Sequence, residues 1–295
     1  MATQVSNLFA VEYQEDVHHV FQRQGSYLKP TVRQKNNVVG SSTRFNKVGK
    51  GSASTKARHG QVTPMNADRS QIACTMEDYY AGDWFDDLDS AKTDVDEKAV
   101  IAKQGAMALG RKADELITTA LNTTATEGTL TVTSKATVEN SLLNMVEDLI
   151  SADVPLDGEV YGLLTPRGWT QAMKVESFNS ADYVGPDGSS FKSGAAVGVK
   201  FKEWNGVKWQ AHTGLPGVGT STAENYVYHK TAAGFAMGKH AKNVASNPAV
   251  MADITWNGPE AAWFINHCFS AGACLIDATG VVEYTLDDTA AIVSS

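Results

Sequence analysis

Residues 47–64, KVGKGSASTKARHGQVTP, cannot belong to a core. Their only large apolar side chains are Val48 and Val62, and Gly and Ser leave the backbone loose. Four of the chain's 25 Lys and Arg stand in this stretch, although the net charge is −8. A segment that cannot be buried must project, and its flanks decide how. On one side lies VVGSSTRFNKV, residues 38–48. On the other lies RSQIACTMEDYYAGDWF, residues 69–85, where Ile72, Cys74 and Met76 alternate ahead of Tyr79, Tyr80, Trp84 and Phe85. That period of two predicts the limbs of a long β-hairpin with the basic tongue as its tip. Limbs of about twelve residues, rising about 3.3 Å each, carry the tip roughly 40 Å out.

Behind the hairpin the period changes. No proline falls between Thr93 and Leu121, and Val95, Ala99, Ala102, Ala106, Leu109, Ala113, Leu116 and Ala120 form a helical stripe. Thr93 suits the N-cap, and Asp94, Asp96 and Glu97 suit the positive end of the helix dipole. About 28 residues at 1.5 Å each make a rod of roughly 42 Å, as fit for a spanning strut as for a domain core. Gly105 and Gly110 each lower its propensity by about 1 kcal/mol relative to Ala, so packing must hold it.

The remaining elements are shorter. Residues 11–22 predict a short helix with Val17, Val20 and Phe21 on one side, before Gly25, Pro30 and Asn36-Asn37 turn the chain extended. Thr137 is expected to cap a second helix with Leu142, Met145, Val146 and Leu149 inward, and residues 159–164 read as a buried strand. Pro166 opens a third helix, and residues 180–194 read as a loop. Asn205-Gly206 demands positive φ at both turn positions, as a two-residue β-hairpin requires. Strands are expected over 226–237, 250–256, 262–269 and 281–286, with a turn at Gly258-Pro259. The fold class is mixed α+β, without internal repeats.

At 295 residues the chain can hold one large domain or two of ordinary size. A hydrophobic fraction of 42% and a charged fraction of 20% are those of a folded protein. The acidic balance argues against a general nucleic-acid binder and leaves room for a local basic patch. Cys74, Cys268 and Cys274 are too few and odd in number for a disulfide framework, and fit a reducing compartment. The first residues lack a basic region and an apolar run of signal-peptide type, and no stretch reaches about 18 apolar residues, so no membrane segment is expected.

Searches for chemistry end empty. Gly49-Lys50-Gly51-Ser52 invites a phosphate loop, but position 44 is Arg where the motif needs Gly, position 51 is Gly where it needs Ser or Thr, and no strand–helix unit surrounds it. Gly214, Gly217 and Gly219 fail as a dinucleotide fingerprint for the same reason. His267 and Cys268 are neighbours in an expected strand, so they point to opposite faces and cannot share an ion. His18, His19 and His59 have no partner at a telling spacing. No catalytic, metal-binding or cofactor-binding residue is named, and no cofactor is expected.

Charge is instead segregated. Residues 29–69 carry nine Lys/Arg and one acid, Asp68, while residues 77–97 carry nine acids and one base, Lys92. Two solvated faces explain this as well as a partner does. The hairpin geometry favours the partner: exposed charges are largely screened beyond about 8 Å at physiological salt, so a distant tip is poorly neutralised by its own base. A second copy can do it, and such heterologous contacts build rings or lattices.

The order of parts resembles the major capsid proteins of tailed bacteriophages, whose fold is shared with encapsulins and herpesvirus floor domains. TDVDEKAVIAKQGAMALGRKADELITTAL looks like the family's spine helix, in the form found in short-tailed phages. DGEVYGLLTPRGWTQAM looks like the strand and helix of its axial domain, and ITWNGPEAAWFINHCFSAGACLIDATGVVEYTL like its closing segment. The resemblance spans nearly the whole chain and rests on architecture, without a short invariant motif. It implies an N-terminal arm against a neighbour (1–38), an extended loop (39–80), a peripheral domain with the spine helix (81–135), an axial domain (136–239), long peripheral strands (240–270) and a return to the axial domain (271–295).

On that resemblance the chain is a structural subunit, not an enzyme, of an icosahedral shell in the virion, built of hexamers and pentamers in the bacterial host cytoplasm. Arg44, Lys47, Lys50, Lys56, Arg58 and Arg69 are expected to face a neighbour's Asp83, Asp86, Asp87 and Asp89. A separate scaffolding protein and a portal are implied, a decoration protein is compatible, and packaged DNA is met without sequence-specific binding. A few relatives crosslink a loop lysine to a neighbour's asparagine, for which Lys50 or Lys56 is placed, though no Asn or Glu partner can be named. Three other readings stay open: a nucleic-acid-binding module using residues 29–69, an enzyme with an unrecognised site, and an encapsulin-like compartment shell. Only Phe45 and His59 interleave the basic residues, which is little for base stacking.

Overall fold

Residues 25–86, 97–179, 191–192, 195–196, 201–239 and 251–293 are described by the computed structural model. In chain order, β1 (Arg33–Val38) precedes the hairpin of β2 (Ser42–Val48) and β3 (Arg69–Thr75), and β4 (Glu77–Asp86) leads to the long helix α1 (Glu97–Leu121). A middle block follows: β5 (Thr126–Thr129), α2 (Lys135–Ser151), β6 (Val160–Leu164), α3 (Pro166–Ala172) and α4 (Glu176–Asn179). After the short pair β7 (Phe191–Lys192) and β8 (Ala195–Ala196) come β9 (Lys202–Trp204), β10 (Val207–Ala211) and β11 (Ala223–His229). The last strands are β12 (Ala233–Gly238), β13 (Met251–Asn257), β14 (Ala262–Leu275) and β15 (Val281–Leu286).

The strands form two main sheets. One has six strands in the order β5-β15-β11-β6-β10-β9; the other has five, β1-β12-β14-β13 with β4 also on β14. In the six-stranded sheet alternate residues serve two cores, as the pleat requires. Val160, Leu164, Val227, Val282 and Tyr284 pack under α2 and α3 with Trp209 and Phe178. Leu163, Tyr226, Tyr228 and Val281 face the other way, onto Leu109, Ala113, Ile117 and Leu121 of α1 and onto Phe235, Met237 and Phe269 of the second sheet. The end of α1 is thereby the wedge that joins the sheets.

Both glycines of α1 are explained by close approach. A Cβ on Gly105 would land on the His267 imidazole, and one on Gly110 would sit 2.6 Å from the Gly25 backbone. The buried face runs through Gly105, Leu109, Ala113, Ile117 and Leu121; of the expected stripe Leu109, Ala113 and Ala120 are buried, Ala102 and Leu116 half-buried, and Ala99 and Ala106 exposed. The cap expected at Thr93, with Asp94 and Asp96, lies outside the described residues, as do the helix expected over 11–22 and most of the loop expected over 180–194. For α2 the cap is Ser134, not Thr137. The Ser134 hydroxyl accepts Thr137 N–H at 3.2 Å while the Thr137 hydroxyl accepts Ser134 N–H at 2.8 Å, a capping box.

Three strand expectations change. The hairpin limbs pair over seven residues, Ser42↔Thr75 to Val48↔Arg69, not about twelve. The chain leaves the hairpin at Met76, and β4 joins β14 in the five-stranded sheet. The run over 226–237 is two strands, β11 and β12, in different sheets. β14 continues six residues past Phe269 to Leu275. The Asn205-Gly206 turn has φ of 51° and 74°, as its sequence demands, and β15 spans the expected residues.

The described part of the expected arm is bound into its own subunit. β1 pairs in parallel with β12, and Leu28 and Val32 are buried. Asp114, buried on α1, ties down the turn before them: it accepts Ser26 Oγ–H at 2.5 Å, Leu28 N–H at 3.1 Å and Tyr27 N–H at 3.2 Å, with His212 Nε2 at 3.4 Å. Burial pushes the Asp114 carboxyl up, but the bonds from His212, Ser26, Leu28 and Tyr27 outweigh it and hold it below the usual carboxylate value.

Candidate subunit interface

The hairpin is packed at its root and bare at its tip. Thr43 and Phe45 on β2 and Cys74 on β3 turn inward, with every other residue of β2 turned outward or half so. Phe45 fills the space left by Gly234, whose added Cβ would lie 2.9 Å from the ring, and Val38, Met76, Ala236 and Ile276 close round it. Beyond Val48 only the Gly49 N–H to Asp68 carbonyl bond of 2.7 Å continues the ladder. Residues 50–59 and 61–66 are exposed throughout, Val62 and Met65 included.

The basic side chains divide into two groups. Lys47 Nζ lies 2.9 Å from Asp277 Oδ1 of its own chain, and Lys50 pairs with Asp153 of its own chain. In the single chain these two lysines already have a carboxylate partner. Their partners were invisible in the sequence because they come from distant loops. Arg44 donates to Gln71 across the hairpin at 3.1 Å. Lys56, Arg58 and Arg69 are exposed and form no ion pair with another described residue.

The acidic side is β4. It pairs with β14 from Glu77↔Ala271 to Asp86↔Ala262, and no described strand pairs along its other edge. Asp83 and Asp86 are both exposed on it, and Asp83 accepts the Trp84 N–H at 2.8 Å. Asp87 and Asp89 lie outside the described residues. Tyr80 and Trp84, exposed at 68% and 48%, share its outer face, with Trp84 tilted on Phe264 at 4.7 Å. Sequence reasoning saw these aromatics only as strand formers; their alternation with Gly82 was the available signal. A cleft of about 310 Å³ opens between β4 and α1, with Asp83 and Arg111 among its walls.

Among the described residues no three His, Cys, Asp or Glu side chains converge as a metal site, and no helix is long and apolar enough to cross a membrane. What the geometry supplies is a projecting cationic tip and, on another face, an anionic aromatic strand.

No curated protein matches the sequence. The capsid of cyanophage P-SCSP1u superposes with a TM-score of 0.74 at 14% identity, covering 97% of this chain and 95% of that one. The capsid of a native GTA particle gives 0.71 at 10% identity over 97% and 98% of the two chains, and the structure from Mycobacterium phage Che8 gives 0.68 at 14% over 97% and 99%. At such identities these likenesses establish the fold. The sequence itself matches the family model described as phage capsid protein over residues 5–288, and with that match across nearly its whole length the chain belongs to the phage capsid protein family.

Proposed function

We propose that this structural capsid subunit is held in its shell head to tail, its hairpin tip laid on the acidic strand β4 of the next copy. The observation that carries the reading is the exposed pair Lys56 and Arg58 on the tongue, which form no ion pair with another described residue. Asp83, on the α1 side of β4, and Asp86, on the Trp84 side, offer the opposite charge along an edge that no described strand covers. Each exposed ion pair contributes about 1 kcal/mol or less. In a closed shell every subunit gives and receives the contact, and linked weak contacts add as avidity.

The wider assignments follow the same reading. α1 with β4, β13 and β14 forms the peripheral domain, and the six-stranded sheet with α2 and α3 forms the axial domain. The shell assembles in the host cytoplasm with a scaffolding protein and a portal, encloses DNA without reading its sequence, and performs no catalysis. The test is a charge swap. Lys56→Glu with Arg58→Glu should leave the subunit folded but abolish particles in electron micrographs. Asp83→Lys with Asp86→Lys, co-expressed or combined with it, should restore them. Particles of normal yield from the first variant, or loss of folding together with assembly, would overturn the reading.

A further inference from the structure

Two of the three cysteines meet where the hairpin crosses the five-stranded sheet. Cys74 is the penultimate residue of β3 and Cys274 the penultimate residue of β14, and Cys274 packs against the apolar cluster that holds Cys74. The crossing is made at backbone distance. The Thr75 carbonyl oxygen occupies the place that a Cβ on Gly272 would take. Gly272 and Cys274 share one face of β14, two residues apart, so the approach that needs the glycine also delivers the Cys274 side chain to β3. Cys74 is buried at 1% exposure and Cys274 is half-buried, and the pair sits among Phe45, Met76, Ala236 and Ile276.

The geometry points to Cys74 and Cys274 as an oxidation site that closes to an intrachain disulfide on meeting a low-molecular-weight disulfide. In the first exchange Cys274, the more accessible sulfur, attacks the small disulfide as its proton leaves, although the Cys74 neighbour and burial push its thiol up. One small thiolate leaves, and a mixed disulfide remains on Cys274. In the second, the Cys74 thiolate attacks the Cys274 sulfur and expels the other small thiolate. The two cysteines are oxidised, the small disulfide is reduced to two thiols, and the two cysteine protons pass to the leaving groups. A reducing cytoplasm keeps the pair open, and an oxidising exterior closes it.

Closure staples the hairpin root to β14. The root is otherwise held by Phe45, by Lys47–Asp277 and by the Met76 N–H to Ser41 carbonyl bond of 2.9 Å. The staple therefore fixes the direction in which the tongue projects, whatever the tongue contacts.

Assembled particles, or the soluble subunit, treated with oxidised glutathione at neutral pH and then alkylated in denaturant provide the test. Free thiols should fall from three to one per chain, with Cys268 keeping its thiol, and peptides bearing Cys74 and Cys274 should be linked in the mass spectrum. The unfolding temperature of the oxidised protein should rise, and Cys274→Ala should lose both the link and the rise. Three persisting thiols, a link to Cys268, or a link between two chains would overturn the proposal. Peptide mapping of the natural chain decides the matter even where the variant does not fold.

Discussion

Asp114→Ala tests what holds the segment before β1 to the long helix. The change removes the acceptor of the Ser26, Tyr27 and Leu28 donors and the carboxylate partner of buried His212. Leu28 N–H is fully buried and stays unpaired, a loss of about 1–3 kcal/mol, while the half-buried donors of Ser26 and Tyr27 regain water and lose about 1 kcal/mol each. The sum, about 3–5 kcal/mol, is a large share of the roughly 5–15 kcal/mol typical of a folded domain. At about 2–4 °C per kcal/mol, the unfolding midpoint should fall by roughly 10 °C. Calorimetry of the unassembled subunit reads this, and limited proteolysis should show new cleavage within residues 25–38. The pH dependence has a definite sign. The folded Asp114 carboxyl lies below its ordinary value, so its contribution is present above the unfolded value of about 3.9 and is lost as pH falls through the folded one. Asp114→Asn should therefore lose less stability between about pH 5 and the acid extreme than the natural chain does. A midpoint within 2 °C of the natural one for Asp114→Ala, taking ~2 °C as under 1 kcal/mol, would refute the network as the anchor.

Two other substitutions probe the packing. Gly105→Ala places a methyl group on the His267 ring, which is buried and bonded to the Ala81 carbonyl at 3.2 Å; over-packing of about 1–3 kcal/mol should lower the thermal midpoint, and an unchanged midpoint would show that α1 does not ride on β14 there. Glu283→Gln should raise stability on the alkaline side only. Burial first, then Glu224, pushes the Glu283 carboxyl up, so the natural fold is favoured when it is protonated and weakens as pH rises through its folded value, and parallel pH profiles for the two proteins would contradict this.

Where the sequence was legible, one local rule sufficed. The Asn205-Gly206 turn, the Thr165-Pro166 helix start and the inward face of α2 follow from backbone chemistry and period alone. Where it failed, partners from elsewhere in the chain decided. Residues 226–237 are apolar almost throughout because β11 is buried on both faces and β12 lies in the second core; the break at Lys230–Thr231 carries neither Gly nor Pro to announce it. The hairpin was expected too long because Met76 continues the alternation of Ile72 and Cys74 while its backbone N–H has turned to Ser41. The basic residues were legible as a group, but which of them stay free was not, since Asp153 and Asp277 have no sequence relation to Lys50 and Lys47.

That division into satisfied and free charges bears on what holds one copy to the next. Ion pairs at exposed sites contribute about 1 kcal/mol or less each, and Lys47 and Lys50 are already engaged at home. Val62 and Met65 on the tongue are exposed at 72% and 61%, and Tyr80 and Trp84 on β4 at 68% and 48%. Fully burying a large apolar side chain is worth about 1.5–3 kcal/mol, so covering the exposed share of these four, about 4–7 kcal/mol in all, outweighs the two or three charge pairs available. On the head-to-tail reading the roles then separate by magnitude. The cations of the tip and the carboxylates of β4 choose partner and direction, as electrostatic complementarity does across interfaces generally, and the apolar side chains between them supply most of the hold. The tongue excluded from its own core is for that reason neither wholly polar nor wholly bare: its few large side chains stand where a second chain can cover them.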